Sequence, residues 1–152
     1  VSTSGVPKMI KKMADENVKF KLAVSLHSAI DNIRTSIMPF NEKMNLSELK
    51  LALKYWYKKT KRIITYEYVI WEGINDNIDD ANALVDFCKF VPSKVNLIQY
   101  NTIDNNKFIQ ASEENINMYQ DILERNKISV TIRRSRGQDI DAACGQLANK
   151  HS

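Results

Sequence analysis

The sequence predicts an α/β fold built on a parallel sheet, amounting to roughly half of a (β/α) barrel or the latter part of an open one. Three observations predict it. Runs rich in Val, Ile and Tyr alternate with helical patterns along the chain. The alternation recurs at intervals of roughly 30 residues, the length of a βαβ unit. The strands are close to continuously apolar, as in a sheet covered on both faces.

The elements follow in order. The opening VSTSG reads as the end of a strand whose beginning is missing. With no initiator Met, the chain is expected to be cut from a longer protein. A helix follows over residues 7–17, with Pro7 near its first turn, where a missing N–H costs nothing. KFKLAVSLH, residues 19–27, is the next strand. Asp31 and Asn32 read as turn or cap residues. NLSE announces a helix over 45–59, with Asn45 as cap and Glu48 three residues on. RIITYEYVIW, residues 62–71, is a strand whose period of two puts Thr65, Glu67 and Val69 on one face. Polar side chains there are expected to face a barrel interior and to be hydrogen-bonded. Asn75 and Asp76 again suit a turn or cap. A helix over 79–90 carries Cys88, which in VDFCKF reads as a buried helix residue. Residues 94–101 form a strand and 112–126 a helix. SEEN at that helix start places carboxylates at the positive end of its dipole. Residues 128–134 form the last strand.

Bulk properties set bounds. With 152 residues, 43% hydrophobic and 26% charged, the chain is one globular domain or part of a larger one. No apolar run approaches the ~20 residues needed to span a bilayer, and the opening has no signal-peptide pattern. Two cysteines are too few for a disulfide framework, which indicates a reducing cytoplasm. The net charge of +4 permits a polyanionic partner without demanding one.

In such folds ligands bind at the carboxyl ends of the strands. Those ends present Ser2, Thr3 and Ser4, then Ser25 and His27, then Asn75 and Asp76, then Asn101, then RRSRGQDIDAAC. A lone histidine at a strand end is more often packed than ligating. The other histidine is His151 in the tail, so a zinc site is not indicated. KYWYKKTKR suits a solvated helix end, with lysines at the negative end of the dipole; RNA contact is the other reading. Cys144 sits between Ala142, Ala143 and Gly145, small neighbours that leave its sulfur accessible. Arg133, Arg134 and Arg136 would lower its pKa from the usual value of about 8.5, and Asp139 and Asp141 oppose them. On these residues alone, a reactive and an inert thiol stay equally open.

Taken together, VSTSGVPK, AVSLHS, MPFN, YEYV, GINDN, KVNLIQYN and RRSRGQDIDAACGQLA, in this order, change those odds. They resemble the radical S-adenosylmethionine RNA methyltransferases that act on C2 of adenine in 23S ribosomal RNA and in the tRNA anticodon loop. The resemblance covers essentially the whole chain. It implies an α/β fold that is the C-terminal portion of a partial (β/α) barrel of the radical-SAM type, with residues 1–152 forming the C-terminal half of that domain. It implies methyl transfer through a methylated cysteine, which falls on Cys144. It implies S-adenosyl-L-methionine contacts at Ser2, Ser25, Leu26, His27 and Asn101. Arg133, Arg134 and Arg136 are weaker candidates for RNA contact. The implied partners are 23S rRNA and tRNA, in the cytoplasm, with no membrane and with a monomer expected.

The family's 4Fe–4S cluster is held by CxxxCxxC, and a further cysteine resolves the RNA adduct through a transient disulfide. Neither that motif nor a third cysteine is present here. A cubane needs three cysteine ligands from such a motif, so the cluster is expected in a longer parent, and this fragment alone is expected to be inactive and to provide no metal ligands. A related branch methylates C8 of the same adenosine; it shares DIDAACGQL but usually lacks the RRSRG form, so C2 is favoured. A cofactor-free RNA-binding α/β module is the alternative of another class.

Overall fold

The structure, a computed structural model, describes residues 2–16, 19–101 and 109–136, with backbone alone at 100, 101 and 134–136. Within these residues five strands lie side by side in chain order: β1 (Ser2–Thr3), β2 (Leu22–Ser25), β3 (Ile64–Val69), β4 (Ser93–Asn101) and β5 (Ser129–Arg136). All four pairings are parallel. Parallel neighbours need crossover connections, and helices supply them: α1 (Pro7–Asp15), α2 (Asp31–Ile37), α3 (Leu46–Thr60), α4 (Ile78–Cys88) and α5 (Glu113–Arg125). Strand order equal to chain order is that of a barrel wall. A doubly wound sheet reverses its order at a switch point.

Local chemistry explains the helix starts. Pro7 opens α1. The Asn45 side chain accepts from the Glu48 N–H and starts α3. Asn77 and Asp80 form a reciprocal capping box before α4. Ser112 accepts from the Asn115 N–H at the start of α5. Lys61, left-handed at φ 56°, ends α3, and its N–H bonds the Tyr57 carbonyl.

One face of the sheet is the core. Leu22 and Val24, Ile64, Tyr66 and Tyr68, Val95 and Leu97 project from it and are buried. They pack in one cluster with Ile10 of α1, Trp56 of α3, Leu84 of α4 and Tyr119 of α5. The other face differs. The rows Ala23–Thr65–Lys94 and Ser25–Glu67–Asn96 run across it. In the second row all three residues are half-buried, and Lys94 is exposed. The strands are therefore less continuously apolar than expected. β3 and β4 alternate, and the polar set lies where a barrel would have its interior, as expected for Thr65 and Glu67.

Two boundaries shift for physical reasons. β2 stops at Ser25 rather than at residue 27, because His27 takes φ 58° and leaves the extended region. Residues 31–37 are a helix rather than a turn. A short 3₁₀ turn, Pro39–Glu42, follows it. Met38 before Pro39 is held out of the helical region at φ −130° and ψ 89°, as a residue preceding proline prefers.

Candidate functional site

The rim at the carboxyl ends of β1, β2 and β3 is held by two buried polar side chains. The first is Arg34 of α2, fully buried. Its Nε donates to the Leu26 carbonyl at 3.0 Å. Its Nη2 donates to the carbonyls of Ser4 at 2.9 Å and Ser25 at 3.2 Å. Its Nη1 donates to Asn41 Oδ1 at 2.8 Å. The guanidinium carbon lies 5.5 Å from the centre of the Phe40 ring. Asn41 in turn donates to the Asp31 carboxylate at 3.1 Å, which also caps the Leu46 N–H. Burial pulls the Arg34 pKa down to about 10, against the attraction of Asp31, so the group remains a cation at neutral pH.

The second is Asn75, also fully buried. Its Nδ2 donates to the carbonyls of His27 at 2.7 Å and Val69 at 2.9 Å, and its Oδ1 accepts from the Trp71 N–H at 2.7 Å. The Tyr119 hydroxyl donates to the Asn75 carbonyl at 2.6 Å and pairs with the Tyr68 hydroxyl at 2.9 Å. Asn75 thus closes the turn after β3, as its sequence position suggested, with its N–H on the Trp71 carbonyl, and its side chain also bridges the ends of β2 and β3.

His27 sits between these supports, 5% exposed. Its Nδ1 accepts the Val69 N–H at 3.0 Å, and its ring meets Trp71 edge to face at 5.6 Å. Burial, and next the charge of Arg34, lower its pKa to about 3. The ring is neutral at pH 7, and because Nδ1 accepts, the proton is on Nε2.

The other rim candidates divide. Ser25 is half-buried on the polar face, in register with Glu67. Ser2 is exposed, and its Oγ donates to Glu67 Oε1 at 3.2 Å. This brings Glu67, which the sequence marked as interior-facing, into the rim. Leu26 has its side chain in the main core. Its N–H donates to the Glu67 carbonyl, while its carbonyl accepts from both the Ser28 N–H and Arg34. Behind the rim, Val69, Trp71 and Ile98 form a small apolar cluster apart from the main core. Arg133 is exposed on β5, opposite Ile98. Cys144, His151 and the side chains of Asn101, Arg134 and Arg136 lie outside the described residues.

Two further features lie away from the rim. In the basic stretch 54–62, Lys59 and Lys61 lie over the rings of Tyr55 and Tyr57, as in an ordinary helix end. At the amino ends of β2 to β4, a cleft of about 250 Å³ is lined by Lys21, Arg62, Ile63, Thr65 and Lys94.

Arg34 escaped sequence reasoning altogether, and Asn75 was placed at the rim without its bridging role; no local pattern marks either function. Their partners lie 7 to 30 residues and 4 to 48 residues away. Among the described residues no group of three or more His, Cys, Asp or Glu side chains is placed to hold a metal. Cys88 is buried, as its helix pattern implied, with its thiol pushed up to about 12 by burial. The described residues therefore do not fit an iron–sulfur cluster.

A parallel wall whose strand ends carry the polar groups defines a class, the (β/α) proteins that work at the carboxyl rim. Within it, a radical SAM methyltransferase from Sphaerobacter thermophilus superposes with a TM-score of 0.86 at 40% identity, over 96% of this chain and 43% of that one. A domain of pyruvate-formate lyase-activating enzyme from Bacteroides vulgatus shares the fold, with a TM-score of 0.66 at 16% identity over 87% of this chain. No family model matches the chain. Among curated proteins, the chain is a relative of the dual-specificity RNA methyltransferases. It is 67% identical over 150 residues to the probable dual-specificity RNA methyltransferase RlmN of Christiangramia forsetii, and 62% identical over 152 residues to that of Flavobacterium johnsoniae. It covers 43% and 44% of those proteins, so it spans less than half the length of the relatives it matches. No helix among the described residues is long and apolar enough to cross a membrane.

Proposed function

We infer that this chain is the part of an RNA methyltransferase that carries the S-adenosylmethionine rim and the methyl-carrying cysteine. The observation behind this reading is the coincidence of two lines at one place. The segment AVSLHS, which resembles the cofactor contacts of that family, lies at the carboxyl ends of the strands, with Ser25 on the polar face and its neighbours tied down by buried side chains. The relatives' printed names point the same way.

The residues fit such a cofactor in kind. The Ser25 and Ser2 hydroxyls and the Glu67 carboxylate suit an amine or ribose hydroxyls, and Asn101, last in β4, completes the same edge. His27 offers a neutral ring with one N–H. When bound, S-adenosylmethionine supplies the methyl group and the radical chemistry. Cys144 is the covalent methyl carrier, because a thiolate is the sulfur form that accepts a methyl group. The product is 2-methyladenosine in 23S rRNA and in tRNA. The exposed Arg133, with Arg134 and Arg136, neutralises RNA phosphates. The cluster and the resolving cysteine belong to residues outside this chain, and the whole domain is the radical-SAM barrel of which residues 1–152 form the C-terminal half.

The test uses a chimera in which this chain replaces the matching 150 residues of the Christiangramia forsetii relative. Cys144→Ala is expected to abolish RNA methylation while iron and sulfide content stay at the unsubstituted level. Continued methylation would overturn the role of Cys144. Asn101→Ala is expected to weaken S-adenosylmethionine binding by ~1–3 kcal/mol, the cost of leaving a polar partner unpaired. Loss of RNA affinity with intact cofactor affinity would assign this edge to RNA instead.

A further inference from the structure

Arg34 is an unusual group to find where it is. It is a charged side chain with no measurable exposure, and no carboxylate is among its hydrogen-bond partners. Three of its four partners are main-chain carbonyls, and all three belong to the ends of β1 and β2. A buried cation is costly to solvate unless its protons are satisfied. Apolar packing of α2 alone would not require one.

The fold makes room for this group at a second point. Gly5 follows Ser4 at φ +91°, and a Cβ at Gly5 would lie 3.0 Å from Arg34 Nη2. A side chain there would crowd the guanidinium and Leu49, and at this φ would strain the turn itself. The glycine both permits the turn after β1 and leaves the gap through which the arginine reaches it.

We propose that Arg34 is a positioning residue for S-adenosylmethionine, locking the carboxyl ends of β1 and β2 into one rigid cofactor-binding edge. It touches no ligand. Its fork fixes the carbonyls of Ser4, Ser25 and Leu26 against one another, which sets where the hydroxyls of Ser2 and Ser25 and the ring of His27 stand. Asn41 and Phe40 hold the guanidinium from behind, so MPFN is the seat of the fork rather than part of the ligand surface. Lysine cannot substitute, because one ammonium cannot reach four acceptors in a planar fan. The inference rests on the rim being the S-adenosylmethionine site.

Binding is measured in the chimera described above, with S-adenosylmethionine titrated by equilibrium dialysis and an adenosine-containing RNA hairpin by filter retention. Arg34→Lys is expected to raise the S-adenosylmethionine Kd at least tenfold, with RNA Kd within twofold and most of the thermal midpoint kept. Phe40→Leu, a milder change with little risk to folding, should raise the cofactor Kd two- to fivefold. Cofactor Kd unchanged in Arg34→Lys, or in Phe40→Leu if Arg34→Lys does not fold, would overturn the proposal. So would an equal loss of RNA and cofactor affinity, the sign of a merely structural role. Ser25→Ala and Asn101→Ala run alongside separate the two readings. If they leave cofactor binding intact, the rim assignment fails; if they weaken it while the arginine variants do not, the strap alone fails.

Discussion

His27 ties pH to stability. Folded, its ring is neutral with a pKa near 3; unfolded, the value returns to about 6.5. Between these pH values the unfolded chain binds a proton that the folded chain does not. Stability from this group is therefore complete above pH ~6.5 and is lost as pH falls toward 3, by up to about 1.4 kcal/mol per unit. His27→Asn keeps an acceptor for the Val69 N–H without a titrating ring, so its thermal midpoint should fall less steeply between pH 7 and pH 4.5 than that of the unsubstituted chain. Cys88 gives a second outcome. A buried thiol with a pKa near 12 should resist Ellman's reagent in the folded chain at pH 8 and react fully in guanidinium. At this scale the sequence was uneven as a guide. The positions of Ser25 and His27 followed from the end of a strand pattern, and burial of Cys88 from its helix. The weight carried by Arg34 and Asn75 did not, because it consists of bonds to segments far along the chain.

Elements were more legible where their ends carry chemistry. Asn45, Ser112 and Pro7 each announced a helix that formed within two residues of its expected start. Asn77 was not singled out, yet its reciprocal bonds with Asp80 start α4. Asn77→Ala should cost about 1 kcal/mol, read as a lower thermal midpoint with native circular dichroism retained. Trp56 on α3 is fully buried, and Trp56→Ala should cost about 3–5 kcal/mol, mostly as a cavity. α2 stayed hidden because its inward side holds Arg34, so no apolar stripe betrays a seven-residue helix. Its end was marked all the same, by Pro39.

For the whole molecule, the order of strands and helices was readable because alternation and spacing are properties of the chain itself. The polar face of the sheet was readable at β3, where Thr65 and Glu67 alternate with tyrosines, but not at β2, where LAVS offers only Ser25 as a sign. The cysteine count predicts that the isolated chain shows no iron–sulfur absorbance after anaerobic reconstitution with iron and sulfide; a stoichiometric cubane spectrum would contradict it. The sheet's margin carries a further consequence. β5, eight residues long, pairs with β4 and with no other strand among the described residues. Its outward amides and carbonyls form a template to which another extended segment can add. At high concentration the separated chain should self-associate edge to edge, and Arg133, an exposed charge on that margin, should resist it. Loss of that charge should lower the concentration at which light scattering first rises.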